Sequence, residues 1–344
     1  MNKDAQYRLE GLEPDNLLAF LSLLGLLRAI ELSDGSRPSS DRLTPRVSWD
    51  VTNAPIRPRL HLVDHVAQEQ ISARAAEGLD QLVEFHSFGS NKDLNHSREV
   101  ARSTLVLSVA ESSAGHRYRA DLLAALMTDA AVKTGKNEQV VDPTPLCLLF
   151  GQGHQHFLER LSAVPRQVAP PPRGKGKKAI KLTATECISE ALFSSWHRDD
   201  PTHGFRWDPE EDVRYALMPG DPTAAAYKGG TQHGANRLAA LGLATLTVVP
   251  QRRGDRVRPG ILGGTTESGV FSLAWPIWHP PATLEAIRAL LSHPNLRNPE
   301  ALYNLGVDQV MVARRVSVGK FMNFTRATVR LPTTSTAVHQ VRRK

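Results

Sequence analysis

Four carboxylates, Asp208, Glu210, Glu211 and Asp212, crowd into five positions of this chain. Such a cluster could hold Mg²⁺ as nuclease carboxylates do, or it could satisfy the dipole and free N–H groups of a helix start. His154 and His156 flank Gln155; on a helix an i, i+2 pair points to opposite sides, so they could chelate only on a strand or loop. No carboxylate stands at the offsets of a zinc motif, and a helix start with one histidine exposed and one packed fits as well. His233, before Gly234, could donate to a phosphate or simply be solvated. There is no Gly-x-Ser-x-Gly elbow and no cysteine beside a histidine. Gly174-Lys175 is followed by Gly and Gly319-Lys320 by Phe, so neither supplies the hydroxyl of a nucleotide-hydrolysing loop. Gly151-Gln152-Gly153 has His156 where a dinucleotide fingerprint needs its third glycine. The expectation is therefore no catalytic residue, no metal site and no cofactor.

Binding chemistry is better supplied. Residues 1–165 carry 17 Lys and Arg against 21 Asp and Glu, a balance of −4. Residues 166–344 carry 25 against 14, a balance of +11, and the two give the net +7 of the whole chain. From Arg314 to Lys344 there are eight basic residues and no acidic ones. A one-sided field of this kind favours an anionic partner, nucleic acid ahead of anionic lipid. The candidate contacts are Arg173, Lys175, Lys177, Lys178 and Lys181; Arg252, Arg253, Arg256 and Arg258; and Arg314, Arg315, Lys320, Arg326 and Arg330. From these three stretches they are expected to meet on one face and grip phosphates. Phe321 and Phe324 offer stacking surfaces for unpaired bases, or fill core. Asn236 and Arg237, at a helix start after Gly229-Gly230, could hold a phosphate or base edge; the competing reading is an Asn cap with Arg237 paired to nearby acids.

The elements that must position these groups read as α+β, with mixed helices and antiparallel strands. Strands are expected at Tyr7–Leu9, Arg46–Asp50, Arg59–Val63, Thr247–Pro250, Gly269–Ile277, Val310–Val318 and Thr325–Leu331. Helices are expected at Asn16–Leu32 (capped by Asp15), Val66–Phe85, Ser97–Ala110, Ala120–Val132, His154–Leu161, Ala184–Trp196, Ala235–Leu246 and Thr283–Leu291. The first of these helices is apolar on more than one face and should be central to a core. A hairpin tip is expected on Arg253-Gly254-Asp255. Val164–Lys181 carries six cations, no acid and Pro170-Pro171-Pro172, and reads as a stiff-then-flexible basic linker or loop. Two lobes result: an N-terminal α+β domain over 1–165, the linker over 166–181, a basic C-terminal domain over 182–331 and a disordered basic tail over 332–344. Gly25 and Gly242 each interrupt a similar apolar helix, where glycine costs about 1 kcal/mol relative to Ala unless close packing requires it.

Cys147 and Cys187 suit reduced, buried thiols, and the apolar run Leu17–Leu27 is too short to span a bilayer. Acidic residues precede that run and no cleavage site follows it, so a cytoplasmic protein without a membrane partner is expected. The segment Phe205-Arg206-Trp207-Asp208-Pro209 through Leu217 reads as too polar for core and too aromatic for a disordered linker.

That segment, with Asp212, Arg214-Tyr215-Ala216-Leu217, Asp221-Pro222 and Gly234-Ala235-Asn236-Arg237-Leu238-Ala239, resembles subunits of type I-G (formerly I-U) CRISPR–Cas systems. Gly11, Pro14, Leu17–Arg28, Trp49 and Gly151–Leu158 are similar to the same family, either its large subunits or extensions of its helicase–nuclease. The resemblance implies a non-catalytic, nucleic-acid-binding part in an RNA-guided surveillance complex of antiviral defence. It would contact guide RNA and/or target DNA and sibling effector subunits, with recruitment of the helicase–nuclease as a further role. The chain is short for a full large subunit. The alternatives are a metal-dependent nuclease using Asp208, Glu211 or the histidines, and a protein-interaction adaptor that docks the helicase–nuclease.

Overall fold

In the computed structural model, residues 5–112, 114–134, 139–149, 156–174, 176–211, 230–318 and 321–331 are described, the side chains of 114–116, 177, 318 and 321 excepted. Lys175, Lys320, the Gly151–His154 stretch, Asp212–Leu217 with Asp221-Pro222, and the 332–344 tail lie outside the described residues.

The fold is α+β. Strand β1 (Ala5–Arg8) leads into helix α1 (Leu17–Gly35), then β2 (Arg46–Asp50) and β3 (Arg57–Leu62) form an antiparallel sheet of order β1-β3-β2. The cap of α1 is Asn16, whose side chain accepts from Ala19 N at 3.3 Å, and not the expected Asp15. Asp15 is taken by Arg326, 311 positions along the chain, so the local signal is overridden by a tertiary one.

Every face of α1 is buried from Leu17 to Leu27, which places it in the middle of the molecule. Helix α2 (Gln68–Leu82) packs on one side. Helices α3 (Arg98–Ala110, capped by Ser97) and α4 (Ala114–Leu126) follow, then the short hairpin β4 (Val132–Thr134) and β5 (Gln139–Val141). Val132 is thus a strand residue, and the helix expected over Ala120–Val132 lies further toward the N-terminus. Helices α5 (Phe157–Arg166), α6 (Ala184–Phe193) and α7 (His233–Gly242) complete the helical layer.

Helix α7 crosses α1 at the two glycines that interrupt them. A Cβ on Gly25 would stand 1.9 Å from Leu238 O, and one on Gly242 would stand 1.9 Å from Leu21 O. No side chain fits between these backbones. The Ser22 hydroxyl lies 2.7 Å from Leu18 O and 2.8 Å from Ala235 O, bridging the same crossing. Close packing is what the glycine cost sustains.

One apolar cluster runs from Tyr7 to Ala327 and takes residues from both sides of 166–181. A helix that is apolar all round needs more cover than the first 165 residues provide, so the expected boundary does not coincide with a break in the core. Arg173 and Ile180 pair, the N of each donating to the other's carbonyl.

The second sheet holds β8 (Gly264–Glu267), β9 (Val270–Trp278), β10 (Val307–Val318) and β11 (Phe321–Phe324) in the order β11-β10-β9-β8, with β12 (Thr328–Val329) also on β10. The strand expected over Thr325–Leu331 is therefore only the two residues of β12. Ahead of this sheet, β6 (Val248–Arg253) and β7 (Arg256–Ile261) form a separate two-stranded ribbon that turns at Gly254-Asp255. Helix α8 (Leu284–Leu291) is capped by Thr283, whose side chain accepts from Ala286 N. Both cysteines are free and buried, and burial pushes each thiol up to about 12. Among the described residues no helix is long and apolar enough to cross a membrane.

Candidate nucleic-acid interface

Antiparallel pairing sets Arg253 directly opposite Arg256, and Gln251 opposite Arg258. Period-two alternation puts Arg253, Arg256 and Arg258 on one face of the ribbon and Arg252 on the other. Two like charges directly opposite are destabilising in an isolated ribbon. That face looks into a groove of about 540 Å³ whose far wall comes from β4–β5 and from the β9–β10 sheet. Lys133 of β4 and Arg315 of β10 enter it from that wall. The Arg315 guanidinium lies 5.4 Å over the Phe271 ring and donates to Pro145 O at 3.0 Å, so it is fixed in place. Among the described residues the one carboxylate at the groove is Asp142, 3.2 Å from Arg258 and 3.8 Å from Lys133. Five described cations thus face one described anion.

Other expected contacts are placed elsewhere. Arg173 donates to both oxygens of Glu190 (3.0 and 2.9 Å) and to Asp200 (2.9 Å). Arg237 is fully enclosed and spends its guanidinium on Pro165 O, Val168 O and Asp80, while Asn236 is buried beside it. Arg326 pairs with Glu13, Asp15 and Glu210. These four side chains are internal fasteners, and the phosphate-facing role expected of them is withdrawn. A buried guanidinium needs such partners, because desolvating it unpaired is costly. Arg252, Arg314, Lys178 and Lys181 are exposed but do not line the groove, and neither does the half-buried Arg330. Phe324 is core, edge-on to Phe271 at 6.3 Å. The cations that meet are Arg253, Arg256, Arg258 and Arg315. Sequence reasoning missed Lys133, Asp142 and Phe271; the alternation Val132-Lys133-Thr134 was the signal for the first.

The 205–211 segment also departs from expectation, since it is core. Phe205 and Trp207 stack on each other at 4.4 Å, Phe157 meets both edge-on, and Trp207 Nε1 donates to Leu146 O at 3.0 Å. Asp208 and Glu211 are buried with partners in hand, and the exposed Glu210 is paired as well. Asn16 Nδ2 and Arg198 Nε donate to Asp208 at 2.9 and 2.8 Å, Glu211 accepts from Arg206 N, and Glu210 pairs with Arg198 and Arg326. His156 is held by Asp93 at 2.8 Å. His233 is buried with Nε2 2.6 Å from Gln167 O, and burial pushes it down to about 4. Among the described residues no group of three His, Cys, Asp or Glu converges as metal ligands.

Comparison with protein-family models, curated proteins and solved structures finds no match.

A second charged recess, of about 250 Å³, is lined by Arg28, Glu31, Tyr118, Asp121, Glu285 and Arg288. Asp121 is held by Arg28 at 3.2 Å and lies 3.8 Å from Arg288. Burial, and then repulsion from Glu285, push the Glu31 carboxyl up from 4.5 to about 7. A folded value above the unfolded one means that the unfolded chain loses its proton first, so this group's stability contribution is lost as pH rises from 4.5 through 7. Glu31→Gln is therefore expected to raise stability by about 2 kcal/mol at pH 8, with the gain shrinking toward pH 5. Melting curves of the two proteins at both pH values check this. Equal melting at pH 8 would count against it.

Proposed function

We propose that this chain is a non-catalytic nucleic-acid-binding subunit that holds a phosphate backbone in the groove between the β6–β7 ribbon and the β9–β10 sheet. One observation carries the reading: Lys133, Arg253, Arg256, Arg258 and Arg315 converge on one groove against a single carboxylate among the described residues. Arg253 and Arg256 stand opposite each other, and neither has an ion pair among the described residues, an arrangement that a bound phosphate would relieve. The resemblance to type I-G CRISPR subunits supports placing that nucleic acid in an RNA-guided complex, as guide RNA and/or target DNA. Sibling effector subunits and the helicase–nuclease would be the protein partners.

The test is the affinity of the full chain for labelled RNA and DNA as salt varies. Four net positive charges give a log–log slope of about −3 to −4, so affinity should fall about 100-fold between 50 and 200 mM salt. Binding that ignores salt, or binding to an acidic protein but to neither nucleic acid, would sink the reading.

A further inference from the structure

The free edge of β2 opens into a recess of about 550 Å³, away from the cationic groove. Val47 exchanges two backbone hydrogen bonds with Ala282, at 2.9 and 2.8 Å, on the side of β2 that faces away from β3. Backbone direction alternates along a strand, so Trp49, two residues on, presents its N–H and C=O to the same side. Its cross-strand neighbour on β3 is Pro58, which has no N–H to give, in keeping with that orientation. Among the described residues neither backbone group of Trp49 has a partner. The strand begun at Ala282 cannot continue along β2, because Pro281 and Pro280 come next and lack donors. Trp49 itself is only 2 % exposed and sits edge-on to Trp278, and its indole N–H is unpartnered as well. Orphaned donors in a buried residue are uncommon, and here they adjoin a cavity.

The remaining walls suit a flat ring. His279 stands at one side, with Nδ1 fixed 3.0 Å from Asp308, and Pro281 adds a second apolar surface. Ser48, its hydroxyl 2.8 Å from His61 Nε2, and Arg59 add polar groups on the sheet face. Only Trp49 remains on the open edge before the strand ends at Asp50, which is too short to seat an added strand but matches one base edge.

We infer that this recess takes a nucleobase, with the Trp49 N–H donating to a ring or carbonyl acceptor and the Trp49 C=O accepting from the adjacent amino or imino group. Every base offers a donor beside an acceptor on its pairing edge, and single-stranded bases are read in this way when splayed out onto side chains. The inference rests on the nucleic-acid reading for its main source of bases; a free nucleotide is the other source. Phe271 of the groove and His279 of the recess are eight residues apart along and just beyond β9. At the rise of a strand that is about 25 Å. Seven or eight steps of a duplex cover about the same distance. A strand whose phosphates lie in the groove can thus reach the recess with one unpaired base.

Two arms separate the sources. In the first, a single-stranded oligonucleotide carrying 5-iodouracil is photo-crosslinked to the full chain and the adduct is mapped by mass spectrometry. The expected adduct lies on the peptide of Trp49 or of His279, and Thr52→Trp, which fills the recess, should lower affinity for that strand about tenfold without changing it for an abasic strand. In the second, adenosine monophosphate is titrated against wild type and Thr52→Trp, and saturable binding lost in the variant would identify the free nucleotide. Should Thr52→Trp fail to fold, His279→Ala in the same assays and the wild-type crosslink still decide. No adduct at either peptide, with affinity unchanged in the variants, overturns the inference. In that event the groove reading stands if charge reversal at Arg253 and Arg256 still abolishes oligonucleotide binding, and falls if it does not. Occupation of the recess by an extended peptide of a partner, with neither nucleotide probe bound, overturns it as well.

Discussion

Gly25→Ala is expected to be among the most damaging single-methyl changes in this molecule. The new Cβ would fall 1.9 Å from Leu238 O, and the obstacle is backbone that cannot rotate away. Helices α1 and α7 would have to move apart by more than 1 Å along the centre of the core. Overpacking of this kind typically costs 1–3 kcal/mol, and a rigid obstacle places the change at about 3 kcal/mol or more. The better helix propensity of Ala returns only about 1 kcal/mol. Gly242→Ala should behave alike, because its Cβ meets Leu21 O at the same distance. The double variant should lose less than the sum, since the first methyl already opens the space the second needs. Gly35→Ala, at the exposed end of the same helix with nothing within 4 Å, is the control and should not destabilise. Urea or thermal denaturation of the four proteins checks the series. A Gly25→Ala protein that melts with wild type would refute the crossing.

These glycines show where the sequence is informative and where it is silent. That Gly25 and Gly242 each interrupt an apolar helix is visible in the chain; that they meet each other is not, because 217 positions separate them. Locally determined features read through. The helix expected to begin at Ala184 does begin there, and the all-round apolar pattern of α1 gives its central place. Features settled by distant partners do not. Asp15 loses the cap of α1 to Asn16 because Arg326 claims its carboxylate. Phe205–Glu211 reads as too polar for core because its charges look unpaired in sequence, yet Asn16, Arg198 and Arg326 meet them in the fold. The same limit governs the interface. The spacing around Gly254 gives a basic hairpin, while the wall that Lys133 and Arg315 build opposite it depends on where β4 and β10 come to lie. Arg173, Arg237 and Arg326 are spent on pairs within the fold for a related reason: a charge count cannot tell a guanidinium that faces solvent from one that fastens the fold.

That distinction gives the second large effect. Arg256→Glu should weaken nucleic-acid binding while leaving the fold intact or slightly more stable. Facing Arg253 across the ribbon, the new carboxylate replaces a like-charge pair with an opposite one, worth about 0.2–1 kcal/mol in favour of the hairpin. In the groove it turns five cations and one anion into four and two. Adding Arg253→Glu leaves three and three, so the double variant should lose about 100-fold in affinity near 100 mM salt, and its salt dependence should nearly vanish. Reversal at Arg326 should do the opposite, because Glu13, Asp15 and Glu210 would be left facing a fourth carboxylate. Its melting temperature should drop while groove affinity in the surviving folded protein stays near wild type. Filter binding and thermal melts on the same preparations separate the two classes. If Arg253→Glu with Arg256→Glu binds as tightly as wild type, the ribbon is not the phosphate contact. If Arg326→Glu loses binding without losing stability, the division between fasteners and groove is drawn in the wrong place.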